Sequence, residues 1–536
     1  MIDSGGIKVS IRGGRSASAA TFRRLLFRVA APMLAVALFT AACSSTDGGA
    51  DDQDSGDTNS NPSVEETGGE TAGEVRGEAV AVPTITGPVT GGEYDMPFNP
   101  MPTRLAEEYD YVEEEYFIEG TASAYAGEGT WGGDGDWTAA PSTTAPYVTR
   151  FVVRKPSNPE DFNGTVLVEW LNVSAGMDAD PDFGFAHDML LDNGYAYVGV
   201  SAQEVGVEGG GFQIPIPGFE TVSLKEWDPE RYATLDHPGD DYAYDIYSQT
   251  AQALRRPEGA DPLEGFDVET VIAAGESQSA IMMVTYVNAI HPLADIYDGF
   301  FIHSRSGTGG TLGEGAVPVN ADAAFIRTDL EDPVFQFQTE TDLFTLRSYL
   351  ARQPDTDMIR TWEVAGTAHA DQATIDYGFE SGRMWNDTAD IDFDSLCGQL
   401  NQGPQTEVVS KAIDDLRTWI VDGEAPAEAP PLEVIDDREI ARDENGNALG
   451  GVRSPAVDAP IATLTGDNTS DGGAICMLFG STIPFDEEKL ASLYPTHEDY
   501  VDAVTEAAET ALAAGYLLED AAQALIEEAE AAPIPS

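Results

Sequence analysis

Positive charge is scarce in this chain. Lysine and arginine number 27 against 94 aspartates and glutamates, for a net charge of −67 over 536 residues. A surface this acidic repels phosphate backbones, which argues against nucleic acid as a partner. Cysteine is scarcer still, at three residues, so no Cys/His cluster of zinc-site spacing is present. H-E-x-x-H is absent, and so is the phosphate-cradling G-x-x-x-x-G-K-[ST]. The glycine-rich "GEGTWGGDGDW" and "GVEGGGF" do not join a strand to a helix, as a dinucleotide site demands, and read as loops. No cofactor or metal is therefore expected. Histidine occurs six times, which makes the placement of each one informative.

The first 43 residues read as a targeting segment. Arg23, Arg24 and Arg28 precede the apolar run "VAAPMLAVALFTAA", too short for a comfortable membrane span, and small residues lead directly into Cys43. The pattern resembles a bacterial lipoprotein signal, which implies lipidation of Cys43, export, and anchoring to the cell membrane. An ordinary secretory signal is the alternative. The following stretch is acidic and nearly devoid of large apolar residues, as expected of a disordered tether. In an exported protein Cys397 and Cys476 could bridge; two buried thiols are the alternative.

From about Tyr147 the chain alternates strand-like runs with helical patterns. "VTRFVVRKP", "NGTVLVEWL", "YAYVGVSAQ", "VETVIAAG", "YDGFFIHS", "DPVFQFQTETD" and "RTWEVAGTAH" are short and mostly apolar, as suits strands buried on both faces of a parallel sheet. "DFGFAHDMLLDNG", "DYAYDIYSQTAQALRR" and "SQSAIMMVTYVNAI" are helix candidates between them. The pattern predicts an α/β fold, a mainly parallel sheet covered by helices. Antiparallel edge strands are expected before Tyr147. The expected division is a signal at 1–42, a tether at 43–76, a hydrolase-type domain at 77–397, and a C-terminal lobe at 398–536 packed on that domain. Residues 204–241 form a long Gly- and Pro-rich insertion. It should emerge beside the candidate nucleophile, with Phe212, Ile214, Ile216, Phe219 and Trp227 as walls of an acyl pocket.

"VIAAGESQSA" supplies the parts of a nucleophile elbow: a buried strand, Gly275 two residues before Ser277, and a helix after it. Ser279 stands where a second glycine is usual. A helix-capping serine would look alike. A nucleophilic serine needs a base, and the base needs a carboxylate to hold its tautomer. In the order Ser, acid, His, the partners should follow later strands. "PVFQFQTETD" ends in Glu340 and Asp342, and "TWEVAGTAHAD" carries His369 past a glycine turn. Asp342 is the expected acid and Glu340 the alternative, while Asp371 reads as a loop acid. His187, His237, His291 and His497 read as structural, and His303 as a residue of the pocket rim. Oxyanion donors are expected at the N–H of Gln278 and in the loop after "VLVEWL", at Asn172 or Val173.

Together "FNGTVLVEWLNVSAG", "GYAYVGVSAQ", "HPGDDYAYDIYSQ", "GESQSA", "GTAHAD", "NGNALGGVRSP" and "LFGSTIPFDEEKLASLYPTHEDYV" resemble a family of bacterial α/β-hydrolase-domain proteins, mostly uncharacterised. The resemblance runs from about Tyr147 to the C-terminus. It implies an α/β-hydrolase fold with a loop or lid insertion and a C-terminal helical extension, and a serine triad. It does not imply a substrate. The leading expectation is an envelope-anchored serine hydrolase acting on small-molecule or lipid-like carboxylic esters. The alternative is a tethered binding or scaffold lipoprotein that kept the fold without turnover.

Overall fold

The computed structural model describes residues 76–210, 221–312, 323–386, 391–470 and 472–534. Cys43, the signal, the tether through residue 75, and Phe212, Ile214, Ile216 and Phe219 of the insertion lie outside the described residues, whereas Arg76, the expected last residue of the tether, is paired with Asp295 at 2.7 Å and Asp298 at 3.0 Å. The chain divides into two units, Met1–Thr71 and Ala72–Ser536, and all the described residues belong to the second.

The centre of the second unit is a ten-stranded sheet. In chain order the strands are β1 (Thr84–Thr86), β2 (Tyr111–Glu128), β3 (Thr138–Pro156), β4 (Thr165–Trp170), β5 (Ala196–Val200), β6 (Glu258–Gly259), β7 (Thr270–Glu276), β8 (Gly299–His303), β9 (Val334–Thr339) and β10 (Ile359–Val364). They lie in the order β10-β9-β8-β7-β4-β5-β3-β2-β1-β6. From β10 to β5 all pairs are parallel, whereas β5–β3, β3–β2 and β2–β1 are antiparallel.

Helices cover both faces: α1 (Pro181–Asp192), α2 (Ala243–Arg255), α3 (Gln278–Thr285), α4 (Glu340–Phe344), α5 (Gln372–Gly382), α6 (Gln405–Asp422), α7 (His497–Ala513) and α8 (Glu519–Ala531). The uninterrupted apolar runs follow from this. In β7, Val271 and Ala273 join one core with Ile246 and Met283, while Ile272 and Ala274 join the other with Phe183, Ile413 and Leu416. Alternate residues of each central strand are thus buried on opposite sides. Helix α6 packs over β7, β8 and β9. It lies past residue 398, the expected start of the C-terminal lobe, and belongs to the layer that covers the sheet.

Strands β5 and β7 flank β4, and successive strands run outward in opposite directions from there. That reversal opens a crevice beyond the carboxyl ends of β4 and β7, where ligands bind in open α/β sheets.

The insertion differs from expectation at Trp227. Its side chain stacks on Tyr94 at 4.4 Å and is buried with Phe98, Tyr232 and Leu235 in a small cluster of its own. The short helix Leu224–Trp227 is held by a capping box from Ser223 and Glu226, which turns Trp227 inward. Trp227 does not line the crevice.

Candidate active site

Ser277 sits between β7 and α3 with φ 59° and ψ −114°. A positive φ is strained for a residue with a Cβ, and such strain gathers at functional turns. The backbone is held there by two bonds. Ser277 N–H donates to the carbonyl of His303 at 2.9 Å, and Ile281 N–H donates to the carbonyl of Ser277 at 3.1 Å. The side chain of Ser277 makes no capping bond to α3. A Cβ on Gly275 would stand 3.0 Å from Cβ of Ser279. The missing Cβ at 275 is therefore what makes room for a serine at 279.

His369 follows β10 and Asp342 lies in the first turn of α4, which follows β9. Nε2 of His369 is 2.7 Å from Oγ of Ser277, and Nδ1 is 2.7 Å from Oδ1 of Asp342. The other oxygen of Asp342 accepts the N–H of Thr339 at 2.7 Å, closing a capping box that fixes the carboxylate. The main chain of His369 is tied down as well: its N–H donates to Oγ1 of Thr341 at 3.2 Å.

Glu340, the alternative acid, points elsewhere. It accepts the N–H of Gly366 at 2.6 Å and pairs with Arg442 at 2.9 Å. Asp371 caps α5 by accepting the N–H of Thr374 at 3.0 Å, and burial pushes its carboxyl up to about 6. His303, expected at the rim, is instead fully buried. Its Nδ1 lies 2.8 Å from Oδ1 of Asp182, and its ring is packed against Phe185 and Phe337. The strand end places it under the site, because its carbonyl carries Ser277.

The sequence reasoning missed Glu276. It is buried, and its Oε1 lies 3.3 Å from Nε2 of His369. Burial pushes its carboxyl up, against the pull of the His369 and His303 rings, to about 7. Burial also works against the charged form of His369, but the charges of Glu276 and Asp342 outweigh it and raise the imidazole to about 9. An acidic residue ending an otherwise apolar strand was the available signal.

The oxyanion expectation for Asn172 is corrected. Its N–H donates to the carbonyl of Ala179 at 2.8 Å. Its side-chain amide donates to the carbonyl of Glu276 at 3.1 Å and to Oε2 of Glu276 at 3.2 Å. Asn172 is thus a brace on Glu276. The next N–H, of Val173, has no acceptor among the described residues. The N–H of Gln278 opens α3, where the first amides of a helix have no partner within it.

The crevice is a cleft of about 260 Å³. Ser277, His369 and Glu276 lie in its wall, with Ile375, Ile475, Leu478 and Phe479 forming an apolar side. Two buried arginines of β3 hold the opposite side. Arg150 bonds Asp178 at 3.1 Å and Arg154 bonds Asp180 at 2.5 Å, which pins the loop after β4. The apolar side is stapled by a disulfide between Cys397 and Cys476, packed with Phe393, Leu400 and Phe479.

Several solved structures are similar in part. A serine hydrolase without a lid from Xanthomonas campestris is 13% identical, with 44% of this chain and 86% of that one covered, at a TM-score of 0.25. A glucuronoyl esterase from Teredinibacter turnerae is 11% identical, with 58% and 80% covered, at a TM-score of 0.26. No curated protein matches the chain. A sequence profile of the alpha/beta hydrolase domain, however, matches residues 85–527, spanning the strands, the Ser277 turn and the His369 loop. The chain belongs to the alpha/beta hydrolase domain family.

Proposed function

We propose that the chain is a serine hydrolase that cleaves carboxylic esters through an acyl-enzyme. The observation that carries this reading is the continuous relay from Ser277 Oγ to His369 Nε2, and from His369 Nδ1 to Asp342, with 2.7 Å at each step. Ser277 attacks the ester carbonyl while His369 takes its proton at Nε2. Asp342 keeps the Nδ1 proton in place and stabilises the imidazolium. The N–H groups of Gln278 and Val173 receive the negative oxygen. His369 then protonates the leaving alcohol, and water activated by the same nitrogen releases the acid. Ile475, Leu478 and Phe479 form a surface suited to the acyl chain of the substrate.

The test is labelling of the protein with a fluorophosphonate probe. The wild type should be labelled and Ser277→Ala should not. Labelling that persists in Ser277→Ala would overturn the mechanism. Lack of labelling in both would favour the tethered binding protein.

The same reading places the enzyme outside the cytoplasm, anchored through lipidated Cys43. It rests on the signal-like run before Cys43, and a disulfide suits an oxidising compartment. Cys43→Ser should leave the membrane fraction or stall in processing. An unmodified N-terminus on mature wild-type protein, found by mass spectrometry, would refute the anchor.

A further inference from the structure

Strands β9 and β10 have an unusual pair of faces. Phe335, Phe337, Trp362 and Val364 enter the core beneath α6, as the central strands do. The opposite face carries Gln336, Gln338, Thr361 and Glu363, and these line a cavity of about 440 Å³ closed over by residues 348–355 and 428–431. It shares no lining residue with the Ser277 cleft. Its size falls within the range of small-molecule sites.

Arg305 is set into the wall of this cavity and is 1% exposed. All its acceptors are neutral: the carbonyl of Ser306 at 2.9 Å, Oε1 of Gln336 at 3.0 Å, and the carbonyl of Ala324. A guanidinium has five N–H donors, so two are left over. Among the described residues no carboxylate pairs with Arg305. The other charges of the wall are already matched. Arg352 pairs with Glu363, and Asp355 pairs with Arg360 at 2.8 Å. Glu428 stands out in solvent. Burial alone lowers the Arg305 guanidinium to about 9, which still leaves it charged near neutrality. A buried, unmatched charge is among the most costly features a fold can hold, and function is the usual reason for keeping one. A second group in the same wall is also unmatched. Oε1 of Gln338 is buried and accepts no hydrogen bond.

We propose that this cavity binds a small hydroxycarboxylate, with its carboxylate on Arg305 and a hydroxyl donating to Gln338. Two spare N–H groups in one plane suit a carboxylate, which accepts in pairs. The unmatched amide oxygen requires a donor, which a hydroxyl supplies and a bare fatty acid does not. With the other charges of the wall matched, Arg305 offers a single positive charge, which suits a monoanion better than a dianion such as phosphate. The site is independent of the chemistry at Ser277.

Calorimetric titration of the full mature chain with D-gluconate, acetate and inorganic phosphate tests this. Gluconate should bind with one site per chain, more tightly than acetate, and phosphate more weakly than either. Arg305→Gln should weaken gluconate and acetate by about tenfold or more, since each loses a charge-assisted bond. Gln338→Leu should weaken gluconate toward the acetate value and leave acetate unchanged. Thermal unfolding reports whether each variant is folded. If Arg305→Gln does not fold, Gln338→Leu decides, and unchanged gluconate affinity there overturns the site. Gluconate binding that survives Arg305→Gln, no gluconate binding at all, or tighter binding of phosphate would each overturn it.

Discussion

Oε1 of Glu276 stands 3.3 Å from Nε2 of His369, the same nitrogen that lies 2.7 Å from Oγ of Ser277. The imidazole is thus flanked by carboxylates at both nitrogens. Both favour imidazolium, so as the proposed base His369 must lose a proton before it can act.

The pH dependence follows from that pair. In the proposed mechanism His369 must be neutral to act as the base, and Glu276 and Asp342 raise it to about 9. The rate should therefore rise with pH across the neutral range. Glu276→Gln removes one of the two negative charges, so the imidazole loses its proton more readily. The ascending limb of kcat/KM against pH should move about one to three units toward acid. A limb that stays in place, or moves toward alkali, would contradict the role of Glu276.

Ser277→Ala and His369→Ala should each lower ester turnover by on the order of 10³-fold or more, and the double variant should be little worse than either. Additive losses in p-nitrophenyl ester hydrolysis would show that the two residues do not act as a unit.

Asp342→Asn and Glu340→Gln should separate. Asn at 342 cannot hold the Nδ1 proton in place, so kcat should fall roughly 10⁴-fold. Gln at 340 weakens the bond to Arg442, which is outside the relay; stability should drop by roughly 1–3 kcal/mol with kcat nearly unchanged. The opposite ranking in kcat would transfer the acid role to Glu340.

Reduction of the disulfide, or Cys397→Ser, should act on stability and on the cleft together. The bridge spans 79 residues, and a loop of that length is worth on the order of 4 kcal/mol in the unfolded chain. Since Cys476 neighbours Ile475 and Leu478, KM for long acyl chains should rise more than kcat falls. A lowered Tm with unchanged KM would confine the bridge to stability.

Acyl selectivity should be set by the wall after Cys397 and not by the described part of the insertion. Phe479→Ala should shift chain-length preference in kcat/KM by about tenfold or more, the scale of one lost methylene contact. Trp227→Ala should cost about 3–5 kcal/mol of stability and leave that preference as it was. A panel of esters of graded length distinguishes the two.

Much of this molecule was legible from local pattern. Seven mostly apolar runs became β3, β4, β5, β7, β8, β9 and β10; β5, β7 and β8 need no polar alternation because they are covered on both faces, whereas β9 and β10 alternate. Ser277, Asp342 and His369 each lie just past such a strand, so strand ends and chain order were enough to nominate them. What failed needed distant partners. Arg150 and Arg154 read as ordinary strand residues, yet both are buried against acids from β2 and from the loop after β4. Nothing local foretells that pairing. Trp227 had the composition of a pocket wall, and its burial depends on Tyr94 and Phe98, far away in sequence. Asn172 stood in the right loop, but its bonds to Ala179 and Glu276 appear only once the loop has closed on itself.

The position of α6 has a consequence for biogenesis. The strands that present Ser277, Asp342 and His369 all leave the ribosome before residues 405–422, so the growing chain carries Phe301, Phe335 and Phe337 without the helix that covers them until α6 is made. Half-covered sheets of this kind stick to one another. A chain cut between His369 and Gln405 would retain every residue of the relay and still be expected in the insoluble fraction, and a chaperone that shields this face would be needed from the birth of β8 until α6 is made.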